Sequence, residues 1–139
     1  MTAVATAITA GVIGSVVSVY VMSMIFKLEH VHYVSLLPKS ITTAIGMGVS
    51  EEAGGIVTMT IVSIIITGIL GNVIADTVFH IFKIKNPLAK GLALGTASHA
   101  IGTARAIEMG PVEGAMSSLA VAVAGLLTVV FVSGFAQLI

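Results

Sequence analysis

Hydrophobic positions in this chain run on in unbroken stretches; they neither alternate nor keep to one face of a helix. Residues 3–26 carry no charged side chain over 24 positions, and about 20 apolar residues suffice for a helix to cross a ~30 Å hydrocarbon core. Residues 56–82 form a second long apolar run, closed by Lys83 and Lys85. Residues 115–137 form a third, again without charge. The pattern predicts a spanning helix over each. No basic stretch precedes the first run and no clear small-residue cleavage site follows it, so it reads as a membrane helix and not as a signal peptide.

Two further segments are long enough to cross but are interrupted. The first is "LLPKSITTAIGMGVSEEAGG" at 36–55, and the second is "NPLAKGLALGTASHAIGTARAIEMGP" at 86–111. Polar residues, glycine and proline at membrane depth are tolerated only where protein or a watery cavity surrounds them. Interrupted segments of this kind point to a transporter's binding site. Counted as crossings, they make an all-α polytopic membrane protein of about five membrane segments, two of them broken helices. Residues 1–139 then form a single membrane domain.

The two interrupted segments echo each other. "IFKL" at 25–28 returns as "IFKI" at 81–84, an offset of 56. Lys39-Ser-Ile-Thr-Thr43-Ala returns as His99-Ala-Ile-Gly-Thr103-Ala, an offset of 60. An internal repeat of helix end, loop and broken helix is the expectation. If each copy includes two crossings, both copies point the same way. Lys27, Lys39, Lys83, Lys85 and Lys90 then share one side with the C-terminus, and the positive-inside rule makes that side cytoplasmic.

Composition agrees with the pattern. Hydrophobic residues make up 57% and charged residues 9%, with a mean hydropathy of +1.14, whereas a soluble domain carries about a quarter charged residues. Formal net charge is zero, which removes the basic field that nucleic-acid binding requires. Without cysteine, disulfides and thiolate metal ligands are excluded.

The charged and hydroxyl side chains inside the interrupted segments are the candidate chemistry. His99, Thr103, Arg105 and Glu108 stand among small residues that let a helix or a ligand approach closely. A charge at mid-membrane costs about 2.5–3.5 kcal/mol on insertion scales. Such residues either face a cavity or serve packing, with His99 bonded to a neighbouring carbonyl and Arg105 paired with Glu108 one turn on. In the first segment Pro38 sets a break and Ser40 is placed to cap a new helix start. Lys39 beside that start, with Thr42 and Thr43 one turn on, makes either a small-anion site or a lysine reaching for headgroups. Asn72, Asp76 and His80 form a stripe at intervals of four, which either relays protons or is wetted at the interface. Glu29, His30 and His32 are too few for a metal site. No cofactor is expected, and no nucleophile stands with a base, so an enzyme is the poorest reading.

"SLLPKSITTAIGM" followed by "GLALGTASHAIGTARAIEMGPVEGAMSSLA" resembles the LrgB/CidB family of bacterial membrane proteins, whose plant members are plastidic glycolate/glycerate transporters. The resemblance runs from about residue 35 to residue 120. It implies a multi-pass protein of the bacterial inner membrane that handles small carboxylates of the glycolate, glycerate or pyruvate class. The alternative it carries is an antiholin-like regulator of murein hydrolase activity and cell lysis, working with a small LrgA/CidA-type membrane partner. By motif, the substrate-binding candidates are Lys39, Ser40, Thr42 and Thr43, then Ser98, His99, Gly102, Thr103 and Arg105. Asp76, Glu108 and Glu113 form the candidate polar relay. The expected partners are the bilayer, a small carboxylate, the LrgA/CidA-type protein and further copies of the chain; nucleic acid is not among them. Lys90 stands where family members commonly have arginine, and Ala44 where they often have proline. Family chains are typically longer at the N-terminus, so the chain is expected to be the C-terminal portion of a longer protein.

Overall fold

The computed structural model describes residues 2–139, and among them the chain is all-helical. Helices α1 (Thr2–Phe26), α4 (Val57–Ile81) and α6 (Pro111–Phe135) are the ones long and apolar enough to cross a membrane. Each has 25 residues, or about 37 Å of helix at 1.5 Å per residue. They coincide with the three apolar runs. A helix that is hydrophobic all round belongs in a large core or in lipid. In α4, Val62, Ile66, Ile69, Leu70 and Val73 are accordingly exposed.

The packing sets the helix directions. Early residues of α1, Ile8 and Val12, meet Ala120 and Ala124 of α6. Later ones, Val16 and Val19, share a cluster with Val132. These two helices therefore run parallel. Between α2 (His30–Leu36) and α4 lies α3 (Thr43–Glu52), which runs with α6, since Ile45 approaches Gly125 and Val49 packs with Val132. α4 runs against α3, because Thr60 bonds Ser50 and Ile64 approaches Gly46. α1 and α6 thus begin at one end of the molecule, here the near end, where α4 finishes. They finish at the far end, where α4 begins.

The interrupted segments do not carry the chain from end to end. α2 starts at the far end, where the Tyr33 hydroxyl donates to the Phe135 carbonyl at 2.7 Å. It leads to Ser40, whose hydroxyl lies 2.8 Å from that of Ser15, halfway along α1. α3 then returns to the far end. A knot of hydroxyls pins this excursion to α4. Thr60 Oγ1 lies 2.8 Å from the Ser35 carbonyl oxygen and 2.7 Å from Ser50 Oγ, and Ser35 Oγ accepts the Ile56 N–H at 2.7 Å.

α5 (Pro87–Met109) makes the matching excursion from the near end. Asn86 caps its start by accepting the Leu88 N–H at 2.9 Å, with Pro87 in the first turn. The arm over 87–98 runs against α4, with Lys90 over the Phe79 ring and Ser98 against Gly71. At His99 the backbone takes φ 42, ψ −135, and the chain turns back. The arm over 100–109 runs with α4: Asn72 Nδ2 donates to the Ile101 carbonyl at 3.1 Å, and Asp76 pairs with Arg105. Leu94 and Ala106, one on each arm, share a cluster with Phe79. In a continuous helix they would lie about 18 Å apart. Gly91 and Gly95 sit directly against the carbonyls of Glu113 and Ser117, so α5 and α6 approach backbone to backbone.

The expectation of five crossings is therefore not met by this arrangement. Pro38 and His99 mark chain reversals, and a sequence that shows an interruption does not show its angle. The repeat echo does have a structural counterpart. Lys27 and Lys83 take φ 51 and φ 53, and the six-residue bonds Leu28 N–H to Ser23 carbonyl (3.0 Å) and Ile84 N–H to Phe79 carbonyl (2.8 Å) close both helix ends alike. These two ends point in opposite directions, against the expectation of parallel copies. Lys27 lies at the far end and Lys83, Lys85 and Lys90 at the near end, so the lysines do not share a side. Ile139 also lies at the far end, where its carbonyl is 2.6 Å from His30 Nδ1.

This arrangement predicts that Glu29→Cys and Lys85→Cys are labelled from opposite faces of the membrane by an impermeant maleimide. Labelling of both from one face would restore the five-crossing layout.

Candidate functional site

The two reversals meet beside a groove of about 450 Å³ that is open at the molecular surface. Ser15 and Ser18 of α1, Lys39 and Ser40 of the first turn, Thr67 and Gly71 of α4, and Thr96 and Ser98 of α5 all line it. Lys39 Nζ donates to Ser40 Oγ at 3.2 Å and to Ser15 Oγ at 3.4 Å. Among the described residues, no carboxylate stands within ion-pair distance of Lys39. The result is a half-buried cation held among hydroxyls. Hydroxyls both donate and accept, so they can turn their protons toward an anion. Charge-assisted bonds from an ammonium to a carboxylate are among the stronger ones.

Of the residues singled out in the sequence, Lys39, Ser40 and Ser98 come together here. Thr42 and Thr43 do not line the groove. Thr42 occupies the N-cap of α3 without a side-chain capping bond, and α3 starts at Thr43, later than the Ser40 cap implies. The Ser40 hydroxyl bonds Ser15 instead.

His99 and its neighbours take the packing alternative. The buried His99 ring donates Nε2–H to the Ile64 carbonyl at 2.9 Å. Thr103 Oγ1 donates to the His99 carbonyl at 2.9 Å and lies 2.7 Å from Ser117 Oγ. Both groups fix the second arm of α5 to α4 and α6. Gly102 is the close-approach position of this turn: a Cβ there would fall 2.6 Å from Ser98 Cβ and 2.7 Å from the Leu94 carbonyl oxygen. Arg105 Nη1 bonds Glu108 at 2.7 Å, while Nη2 pairs with Asp76. Asp76 and Glu108 are thus bridged by one guanidinium toward the near end. Glu113 stands apart in the first turn of α6, where the helix dipole favours an acid.

Sequence reasoning missed Ser15, Ser18, Thr67 and Thr96. Inside apolar helices such residues look inert, because a hydroxyl can satisfy itself on the preceding turn. Ser18 does this toward the Ser15 carbonyl at 2.7 Å, and Thr96 toward Leu92 at 2.8 Å. The one signal was Ser15 and Ser18 at helical spacing within an uncharged span.

The LrgB-like family matches residues 1–138. A protein named "Antiholin-like protein LrgB" from Bacillus subtilis (strain 168) is 43% identical over 132 residues, covering 95% of this chain and 57% of that protein. Its namesake from Bacillus mycoides (strain KBAB4) is 44% identical over 129 residues, covering 93% of this chain and 56% of that protein. The chain thus spans little more than half the length of these curated relatives. No solved structure matches the chain.

The tight meeting of Gly71 with Ser98 predicts a selective cost. A Cβ on Gly71 would collide with Ser98 Oγ, whereas one on Gly14 meets nothing within 4 Å. Gly71→Val is expected to destabilise by about 1–3 kcal/mol, the usual range for overpacking. Gly14→Ala is expected to stay within about 0.5 kcal/mol of wild type. Denaturation of detergent-purified protein measures both, and equal values would remove the tight contact.

Proposed function

This chain belongs to the LrgB-like family, and from that premise we propose that it serves as an antiholin-like component of the bacterial cell membrane. In this role it restrains murein hydrolase activity and cell lysis together with a small LrgA/CidA-type membrane partner. The observation that carries this reading is the run of relatives named antiholin-like over 93–95% of the chain. The matched residues act as one membrane domain and as a non-enzymatic element. In the bilayer, α1, α4 and α6 cross. Residues 30–52 and the two arms of α5 dip in from opposite faces and return. Lys83, Lys85 and Lys90 support a cytoplasmic near end, since cytoplasmic ends carry the excess of basic residues.

A second reading, carriage of small carboxylates such as glycolate, glycerate or pyruvate, is favoured by one feature of the structure. Lys39 stands without an acidic partner among hydroxyls, at the depth where two chain reversals meet. Turned-back segments at the membrane midplane are where secondary transporters place their substrate.

Deleting the gene for the full-length protein, with and without its small partner, and following lysis and cell-wall hydrolase activity tests the first reading. Faster lysis that depends on the partner is expected. Unchanged lysis and hydrolase activity in both backgrounds would remove it. Uptake of radiolabelled glycolate and pyruvate by proteoliposomes, measured alongside, decides the second reading.

A further inference from the structure

Two turns of the same build close helices at opposite ends of the molecule. After α1 and after α4 a lysine takes a left-handed backbone angle, and the following N–H bonds back into the helix. The residues of the two turns differ. The far-end turn reads Lys27-Leu-Glu29-His30, and the near-end turn reads Lys83-Ile-Lys85-Asn86. The shared geometry therefore does not call for lysine at position 85, whose counterpart is Glu29. At the near end Lys83, Lys85 and Lys90, with His80, line one open surface groove of about 440 Å³. Among the described residues, none of these three lysines stands within ion-pair distance of a carboxylate. Asp76, also on the groove, has Arg105 as its partner. Lys90 is the lysine least explained by its own helix. It is the fourth residue of α5, where the unpaired N–H groups already give a positive potential that disfavours a cation. Its ammonium lies over the ring of the buried Phe79, 5.7 Å from the centroid. Beside the groove, Ile81 and Phe82 are 64% and 71% exposed. A positive mouth thus adjoins an apolar flank. The 25 residues of α4 outreach a ~30 Å hydrocarbon core, so its last turn lies at headgroup level.

We propose that this groove holds the phosphodiester headgroup of an anionic phospholipid of the near-end leaflet. Lys83, Lys85 and Lys90 surround the phosphate, and the acyl chains lie against Ile81 and Phe82. Lysine binds phosphate as a point charge, and basic pockets between membrane helices are where acidic headgroups are held. An anion in the groove offsets three ammoniums and the start of α5 together, which relieves the conflict at Lys90. The exposed apolar flank favours a lipid over free phosphate, because a free ion would leave Ile81 and Phe82 uncovered. The far-end turn, with Glu29 in place of Lys85, does not offer the same site, so the preference belongs to one leaflet. The proposal is independent of whether the protein restrains lysis or carries a carboxylate.

The test uses the full-length protein in detergent, titrated with phosphatidylglycerol or phosphatidylcholine, with bound lipid counted by native mass spectrometry. Both lipids carry the phosphodiester, but choline neutralises it. Wild type is expected to bind phosphatidylglycerol at least about tenfold more tightly than phosphatidylcholine. Lys83→Gln, Lys85→Gln and Lys90→Gln should each weaken phosphatidylglycerol binding by about fivefold, and the three together by roughly 100-fold. Phosphatidylcholine binding should stay the same. Arginine at all three positions should keep the preference, which separates loss of charge from misfolding. Lys27→Gln, in the matching far-end turn, should stay within about twofold of wild type, since it lies outside the groove. A large excess of inorganic phosphate should leave the lipid bound. Displacement by phosphate would show a site for the free ion and overturn the lipid assignment. An equal loss in Lys27→Gln would show diffuse attraction to the whole surface and overturn the site. If wild type shows no preference, or the triple glutamine variant keeps it, the groove is not a headgroup site.

Discussion

A polypeptide that turns round inside a bilayer must find partners for its backbone polar groups without water, and this fold is organised by that requirement. Each unsatisfied group in hydrocarbon costs several kcal/mol, and a helix end leaves up to four of them. The chain turns twice. At the second turn Thr103 takes the His99 carbonyl, and the His99 ring gives its proton to the Ile64 carbonyl. The first turn is closed by Lys39 N–H to the Leu36 carbonyl at 3.1 Å and Ile41 N–H to the Pro38 carbonyl at 3.3 Å, with Ser40 held by Ser15. Glycine follows from the same requirement. Gly68 accommodates the His99 ring, as a Cβ there would fall 2.7 Å from Cε1. Gly71 and Gly102 leave room on either side of Ser98. Turns so tightly enclosed can exist only where neighbouring helices come very near.

The same economy separates structural from chemical side chains. His99, Thr103 and Arg105 bond protein groups, so they hold the second turn in place. Lys39 is bonded only by hydroxyls of serines that can also donate elsewhere. A cation left in that condition is the natural counterpart of an anion, whether the protein carries that anion across or senses it while restraining lysis. The two readings of function therefore use one architecture and differ in whether an anion held at Lys39 goes on to cross the membrane.

The three spans were legible in the sequence because lipid imposes a simple rule, an apolar run of fixed length. The interruptions were legible too, since Pro38 and the polar run around His99 have no place in a plain span. Their consequence was not. A reversal and a crossing use the same residues, and only the backbone angle at His99 and the packing of Leu94 beside Ala106 distinguish them. The repeat was readable from "IFKL" and "IFKI", yet its sense followed from the crossing count and was inverted with it. In the site, Lys39, Ser40 and Ser98 could be named from sequence because a lysine beside a proline break and a hydroxyl among glycines are unusual at depth. Ser15, Ser18, Thr67 and Thr96 could not, since a hydroxyl on an apolar helix can bond its own preceding turn, as Ser18 and Thr96 do, and so gives no sign of what it faces.

The reversal at His99 decides the crossing count, the sense of the repeat and the position of the site. A distance between spin labels at Leu88→Cys and Glu108→Cys, both on exposed positions, reads it directly in lipid. With the arms of α5 folded together, their outer ends lie side by side, about one interhelical distance of 8–10 Å apart before the label arms are added. The expected spectrum therefore shows strong dipolar broadening, with a separation below about 20 Å once the label arms are added. A continuous helix would hold the two positions about 30 Å apart, and a sharp distribution at that distance would contradict the fold on which the site depends.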